Sequence, residues 1–253
     1  MIGGLVDYCE RCAPGFAQAL RPTLPADVDD VIRLTGVGVP AEYRAYLLAF
    51  GRAVPSALAP FMTDFHFGCD ATEDFYRDPP VPVPDDAAFL WSIEGGSEMF
   101  LGVAGEWADD HPVLSFSWGM DEATGEYLPG ERMPFVVSGS LIAFLYGQAY
   151  SRLRQLGLPH RQRLRQNMAS GERTAADAVE RGRRFVAVIE RLGFEPLPFL
   201  DPDVLMYDRS DAAVSMVVSE SAEDSFYVAA TEARETSLIT EILCDNLGAR
   251  RFG

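Results

Sequence analysis

The chain has 253 residues, 48% of them hydrophobic and 23% charged, the balance of a soluble globular protein with one large or two small domains. Its formal net charge is −17, and all its cations are arginines because it contains no lysine. That charge disfavours nucleic acid and favours basic proteins as partners, and no apolar run approaches the roughly 18 residues of a membrane span.

The charge is uneven. Residues 1–147 carry 22 acids and 7 arginines, net −15, whereas residues 148–195 carry 10 arginines and 5 acids, net +5. The opening MIGGLVDYCERCAPG lacks the basic start and long apolar stretch of a secretory signal, so a cytoplasmic location with four reduced cysteines is expected.

In chain order, Leu5, Cys9, Cys12, Phe16 and Leu20 fall at three- and four-residue spacing on one helix face, interrupted by Pro14. LPADVDDVIRLTG predicts a helix opened by Pro25 and closed by Gly36. VPAEYRAYLLAFG predicts another, with Pro40 at its start, Tyr43, Leu47 and Phe50 on one face, and Gly51 at its end. Residues 52–86, which include DPPVPVPDD, read as loop-rich.

From 87 to 137 the period falls to two: AAFLWSI, EMFLGVA, HPVLSFSW and MPFVV predict four short strands. SGSLIAFLYGQAYSRLRQLG then predicts a helix capped by Ser138 or Ser140. These elements make an α+β domain over residues 1–156. Residues 157–176 read as a basic linker, and 177–253 as a small α-β-β-β-α domain or appendage.

The stretch FLWSIEGGSEMFLGV poses a choice at Gly95-Gly96. A phosphate loop needs a helix after its glycines, with amides facing the anion. Here Met99, Leu101 and Val103 alternate as a strand does, and Glu94 and Glu98 would repel a phosphate. The pair therefore predicts a tight turn between antiparallel strands.

VIRLTGVGVPAEYRAYLLAFG, with Pro40, Tyr43 and Leu47 in place, resembles the opening signature of the SUKH superfamily. The aromatic strand with Trp91, the Gly95-Gly96 turn and the following strand resemble that family's core. SGSLIAFL, with Ser140 and Phe144, resembles its closing helix. The resemblance covers about residues 24–150. It departs from the family in a longer, proline-rich 52–86 stretch and in Phe50-Gly51 where Asn-Gly is common. It implies a non-catalytic binding protein without cofactor, an immunity protein that neutralises a toxin domain such as a nuclease, and the net −15 over residues 1–147 points to a basic one.

Other readings are weighed against this one. Cys9, Cys12, His66 and Cys69 offer a tetrahedral zinc set, but Cys9 and Cys12 lie on an apolar helix face, where cysteine packs as a small hydrophobe. Asp109, Asp110 and His111 offer an acid pair with a base, yet read first as a polar turn. Either set would support an enzyme or a metal protein. The arginines at 152, 154, 161, 163 and 165 could touch RNA, but read first as a solvated helix face or a match for the acidic domain.

The partner-binding surface is expected where the acids of the meander turns gather: Glu94, Glu98, Glu106, Asp109, Asp110, Asp121, Glu122 and Glu126. Turns at the same end of a meander meet, so several of these charges would share a rim around one face, with Trp107 near its middle as the desolvated anchor.

Overall fold

Helices α1 (Ile2–Cys12), α2 (Phe16–Ala19), α3 (Pro25–Thr35) and α4 (Ala41–Phe50) lead the chain. The computed structural model describes residues 2–51, 65–93, 98–121, 124, 127–166, 175–199, 204–218 and 223–251. The break between α1 and α2 spans Pro14, which cannot donate within a helix. Pro25 opens α3, and Gly36 closes it at φ 70°, a left-handed conformation that glycine adopts without strain.

The architecture is α+β, in two compact units, Met1–Leu145 and Tyr146–Gly253. In the first unit the strands are β1 (Phe65–Phe67), β2 (Ala87–Ile93), β3 (Glu98–Gly102), β4 (Val113–Met120) and β5 (Tyr127–Ser138), paired in sequence order. Each neighbouring pair is antiparallel. Helix α5 (Gly68–Arg77) packs Phe75 flat on Phe89, ring centroids 4.2 Å apart, and edge-on to Phe100.

Helix α4 is tied into this unit by buried phenols. Tyr43 donates to the Phe89 carbonyl at 2.5 Å, and the Gly68 amide donates to the Tyr46 hydroxyl at 3.2 Å. Burial pushes both phenols up, so they stay neutral. Gly51 sits where the chain crosses itself: a β-carbon there would lie 1.5 Å from the Arg21 carbonyl oxygen. At φ 67° the position also disfavours any side chain.

Helix α6 (Leu141–Ala149) contains the unit boundary and continues as a π-helical segment, Tyr150–Gln155. The Ser140 hydroxyl accepts from the Ala143 amide at 3.2 Å, so Ser140 rather than Ser138 caps the helix. Phe144 meets Trp91 edge-on at 5.7 Å.

The second unit adds β6 (His160–Gln166), α7 (Ala175–Arg191), β7 (Glu195–Pro196), β8 (Val204–Arg209), β9 (Ala212–Val217), β10 (Asp224–Ala230), α8 (Ala233–Leu247) and β11 (Arg250–Arg251). Its sheet runs β11-β6-β10-β9-β8-β7. Leu164, Phe226 and Met216 share one face with Tyr207 and pack against Phe185 and Ile189 of α7 and Ile239 and Leu243 of α8. The buried Arg181–Asp224 pair fastens α7 to the start of β10, Nε to Oδ2 at 2.5 Å.

Three expectations need correction. The 52–86 stretch is not all loop, because β1 and α5 lie within it. Its prolines mask the helical spacing of Cys69, Thr72 and Phe75, all buried. The first domain was expected to run to residue 156, whereas the units divide between Leu145 and Tyr146. Finally, the basic 157–176 linker is a strand over His160–Gln166, paired along its length with β10. Leu164 alone supplies its core contact, too little for an apolar pattern.

Candidate protein-binding surface

Strand β5 is the outer strand of the first sheet, bonded to β4 on one side. Among the described residues its other side has no strand partner. Its pairing with β4 jumps from Arg132 to Leu128 between Trp118 and Gly119, so the regular edge runs from Arg132 to Ser138, roughly 20 Å at about 3.4 Å per residue. Its apolar residues stay outside the core: Met133 is 64%, Phe135 54% and Val136 60% exposed. The register places Phe135 opposite Ser115 and Val136 opposite Leu114, so the two project from opposite sheet faces. A pairing shift between Val113 and Leu114 puts a bulge at the end of the strand, the irregularity that often re-aims side chains at functional edges.

Polar contacts hold β5 in place. Arg132 donates to Asp86 at 2.8 Å and to Asp85 at 3.3 Å, and its guanidinium lies 5.3 Å from the Phe116 ring. The edge is thus fixed at its middle while its apolar side chains face outward.

The described acids divide between the two ends of the sheet. Strands β2 to β5 alternate in direction, so the β2–β3 and β4–β5 connections lie at one end of the sheet and the β3–β4 connection at the other. Glu98 and Asp121 therefore stand at the end opposite Glu106, Asp109 and Asp110. Glu94, Gly95, Gly96, Glu122 and Glu126 lie outside the described residues, although β2 is followed by an antiparallel strand and not by the helix a phosphate loop requires.

Trp107 is not a free anchor either. It ends a 3₁₀ turn, Gly105–Trp107, and packs against the Phe100–Leu114 cluster. A β-carbon on Gly102 would lie 2.6 Å from the Trp107 β-carbon, so the indole fills the space that glycine leaves.

Asp109 and Asp110 are exposed, while His111 turns inward at φ 47°. Its Nδ1–H donates to the Gly102 carbonyl at 3.1 Å, which pins the bend before β4. The imidazole thus serves the turn, beside two carboxylates exposed to solvent. Burial pushes the Cys9 thiol up to about 12, with Cys12 adding to the effect, and leaves it a poor thiolate. Cys69 lies 4.0 Å from the Leu47 carbonyl. The His66 side chain is outside the described set, and among the described residues no three His, Cys, Asp or Glu side chains gather as a metal site. No helix among the described residues is long and apolar enough to cross a membrane.

Comparison of the chain with protein-family models, curated proteins and solved structures finds no match. The surface therefore has to be read from its own chemistry. Sequence reasoning found the strand MPFVV but not its exposure. The signal available was its place as the last strand of a meander, where a sheet ends.

Proposed function

We propose that this chain is a cytoplasmic, non-catalytic binding protein of SUKH type, an immunity protein that blocks a basic toxin domain by direct contact. One observation carries the reading: a twelve-residue outer strand whose Met133, Phe135 and Val136 face solvent. An unpaired edge accepts a partner strand through backbone hydrogen bonds, with neighbouring side chains giving selectivity. Met133 and Phe135 alternate onto one face of the strand, and apolar residues exposed side by side mark contact surfaces more often than scattered ones do. The net −15 over residues 1–147 suits a cationic partner, because it speeds encounter and disfavours anionic competitors.

Co-expression with a panel of basic nuclease toxin domains tests this reading. The wild-type chain is expected to restore growth against its cognate domain and to co-purify with it in equal amounts. The Phe135→Lys/Val136→Lys chain should lose both effects while its stability changes by no more than about 0.5 kcal/mol, as for exposed sites generally. Full protection by the double-lysine chain overturns β5 as the contact. Failure of the wild-type chain to protect against any such domain overturns the toxin reading.

A further inference from the structure

The second unit holds a cavity of about 730 Å³ on the sheet face turned away from α7 and α8. The register explains its lining. Arg163, Tyr227, Ser215 and Met206 sit directly opposite one another across four strands and so share one face. Arg161 lies two positions before Arg163 on that face, and Val217 and Val204 continue the floor. The π-helical segment forms a wall with Ser151, Arg152 and Gln155. Gln155 Nε2 donates to the Ser215 Oγ at 2.9 Å, which fixes the wall to the floor.

Two properties define what this cavity can hold. Its volume lies within the range of small-ligand sites, about 300–1,000 Å³. Three arginines and, among the described residues, no acid line it, although the chain as a whole carries −17. Concentrating cations there opposes the net charge of the molecule. Arg163 is set over the Tyr227 ring at 5.1 Å, which orients a planar guanidinium beside an apolar floor. Guanidinium groups pair with oxyanions through two parallel hydrogen bonds. π-Helical turns, rare elsewhere, are frequent at functional sites.

We propose that this cavity binds a small amphiphilic oxyanion, with its carboxylate or phosphate at Arg152, Arg161 and Arg163 and its apolar body over Met206, Val217 and Tyr227. The apolar floor separates this ligand from a nucleic-acid backbone, which would need a cationic track without a greasy base. Two-point recognition selects against ions without an apolar body and against neutral hydrophobes alike. The site is independent of the β5 contact.

Anilinonaphthalene sulfonate, an aromatic anion, is a direct probe for the full chain. It is expected to bind once per chain and to weaken with added salt. Binding should weaken at least about tenfold in Arg161→Gln/Arg163→Gln, the loss expected for charged hydrogen bonds. The neutral N-phenylnaphthylamine should bind at least about tenfold more weakly than the sulfonate, for the same reason. Where the double variant fails to fold, Arg161→Gln alone is read, because that side chain is exposed. Displacement of the dye by decanoate or by 1-naphthyl phosphate identifies the oxyanion, and displacement by neither overturns the proposal. Unchanged affinity in the arginine variants overturns it, as does loss of dye binding in Phe135→Lys, which would place the dye on β5.

Discussion

The sheet of the second unit ends on two-residue strands at both sides, β7 and β11, whereas that of the first ends on three-residue β1 and on β5, twelve residues long. Short edges give a foreign strand little to pair with, and charge makes the approach worse. Strand β6 combines both devices. Arg250 and Arg251 of β11 cover Arg165 and Leu164, and arginines alternate along one face. Strand β5 uses neither over its exposed half. The same chain thus ends its second sheet on short, partly charged strands and leaves apolar side chains exposed on the long outer strand of the first.

The largest effect should come from unfastening the closed sheet. Asp224 is fully buried and holds Arg181 at 2.5 and 3.3 Å. Removing one partner of such a pair leaves a buried charge, so Asp224→Ala should cost about 3 kcal/mol or more in urea unfolding. A loss below about 1 kcal/mol would mean that the pair does not secure the sheet.

The interior of the open sheet can be tested without touching its edge. Gly102→Val places a side chain against Trp107 and the Leu114 methyl. Overpacking of this kind costs about 1–3 kcal/mol, measured as a lowered melting temperature, while β5 binding should persist in the folded fraction. Loss of binding at full foldedness would show that Trp107 rather than β5 is the contact.

A smaller effect belongs to the polar β8–β9 turn. Arg209 donates to Asp211 at 2.6 and 3.0 Å, caps the Leu192 carbonyl at 2.8 Å and pairs with Glu235. The hydrogen bonds from Arg209 hold the Asp211 carboxyl below its ordinary value. A depressed carboxyl stabilises the fold fully above its unfolded value and loses that contribution as pH falls through the folded one. The side chain is half-exposed, so screening keeps the effect modest. Melting temperature should therefore fall with acidification below the usual carboxylate range, with a shallower slope in Asp211→Asn. Identical slopes would remove Asp211 from the acid response.

What could be read from the sequence depended on how local the cause was. Pro25, Gly36 and Gly51 bound helices through their own backbone preferences, and α3 and α4 lie where those residues place them. The meander was readable because short apolar runs with buried cores, such as Ala87 to Trp91 and Phe100-Leu101, lie between polar connections. Strand β6 was not, because its partner lies some 60 residues away and RQRLR carries one apolar side chain. The acids of the turns were harder to place for a related reason. Acids in successive turns are neighbours in sequence, but strand direction sends alternate turns to opposite ends. Trp107 looked like a surface residue beside Glu106 and Asp109, and the space over Gly102 is visible only when β3 and the turn are assembled.

The π-helical segment has a consequence for how such a cavity can arise. The Leu156 amide reaches the Ser151 carbonyl five residues back, at 3.2 Å, so the segment holds one residue more than the α-helical turn it replaces. Each residue advances an α-helix by about 100°. A single-codon deletion there would restore regular winding and swing Gln155 away from Ser215, and Arg154 away from Asp208 and the Arg209 carbonyl. The inserted residue thus sets the helix wall against the sheet, and one codon separates a lined cavity from an ordinary helix end.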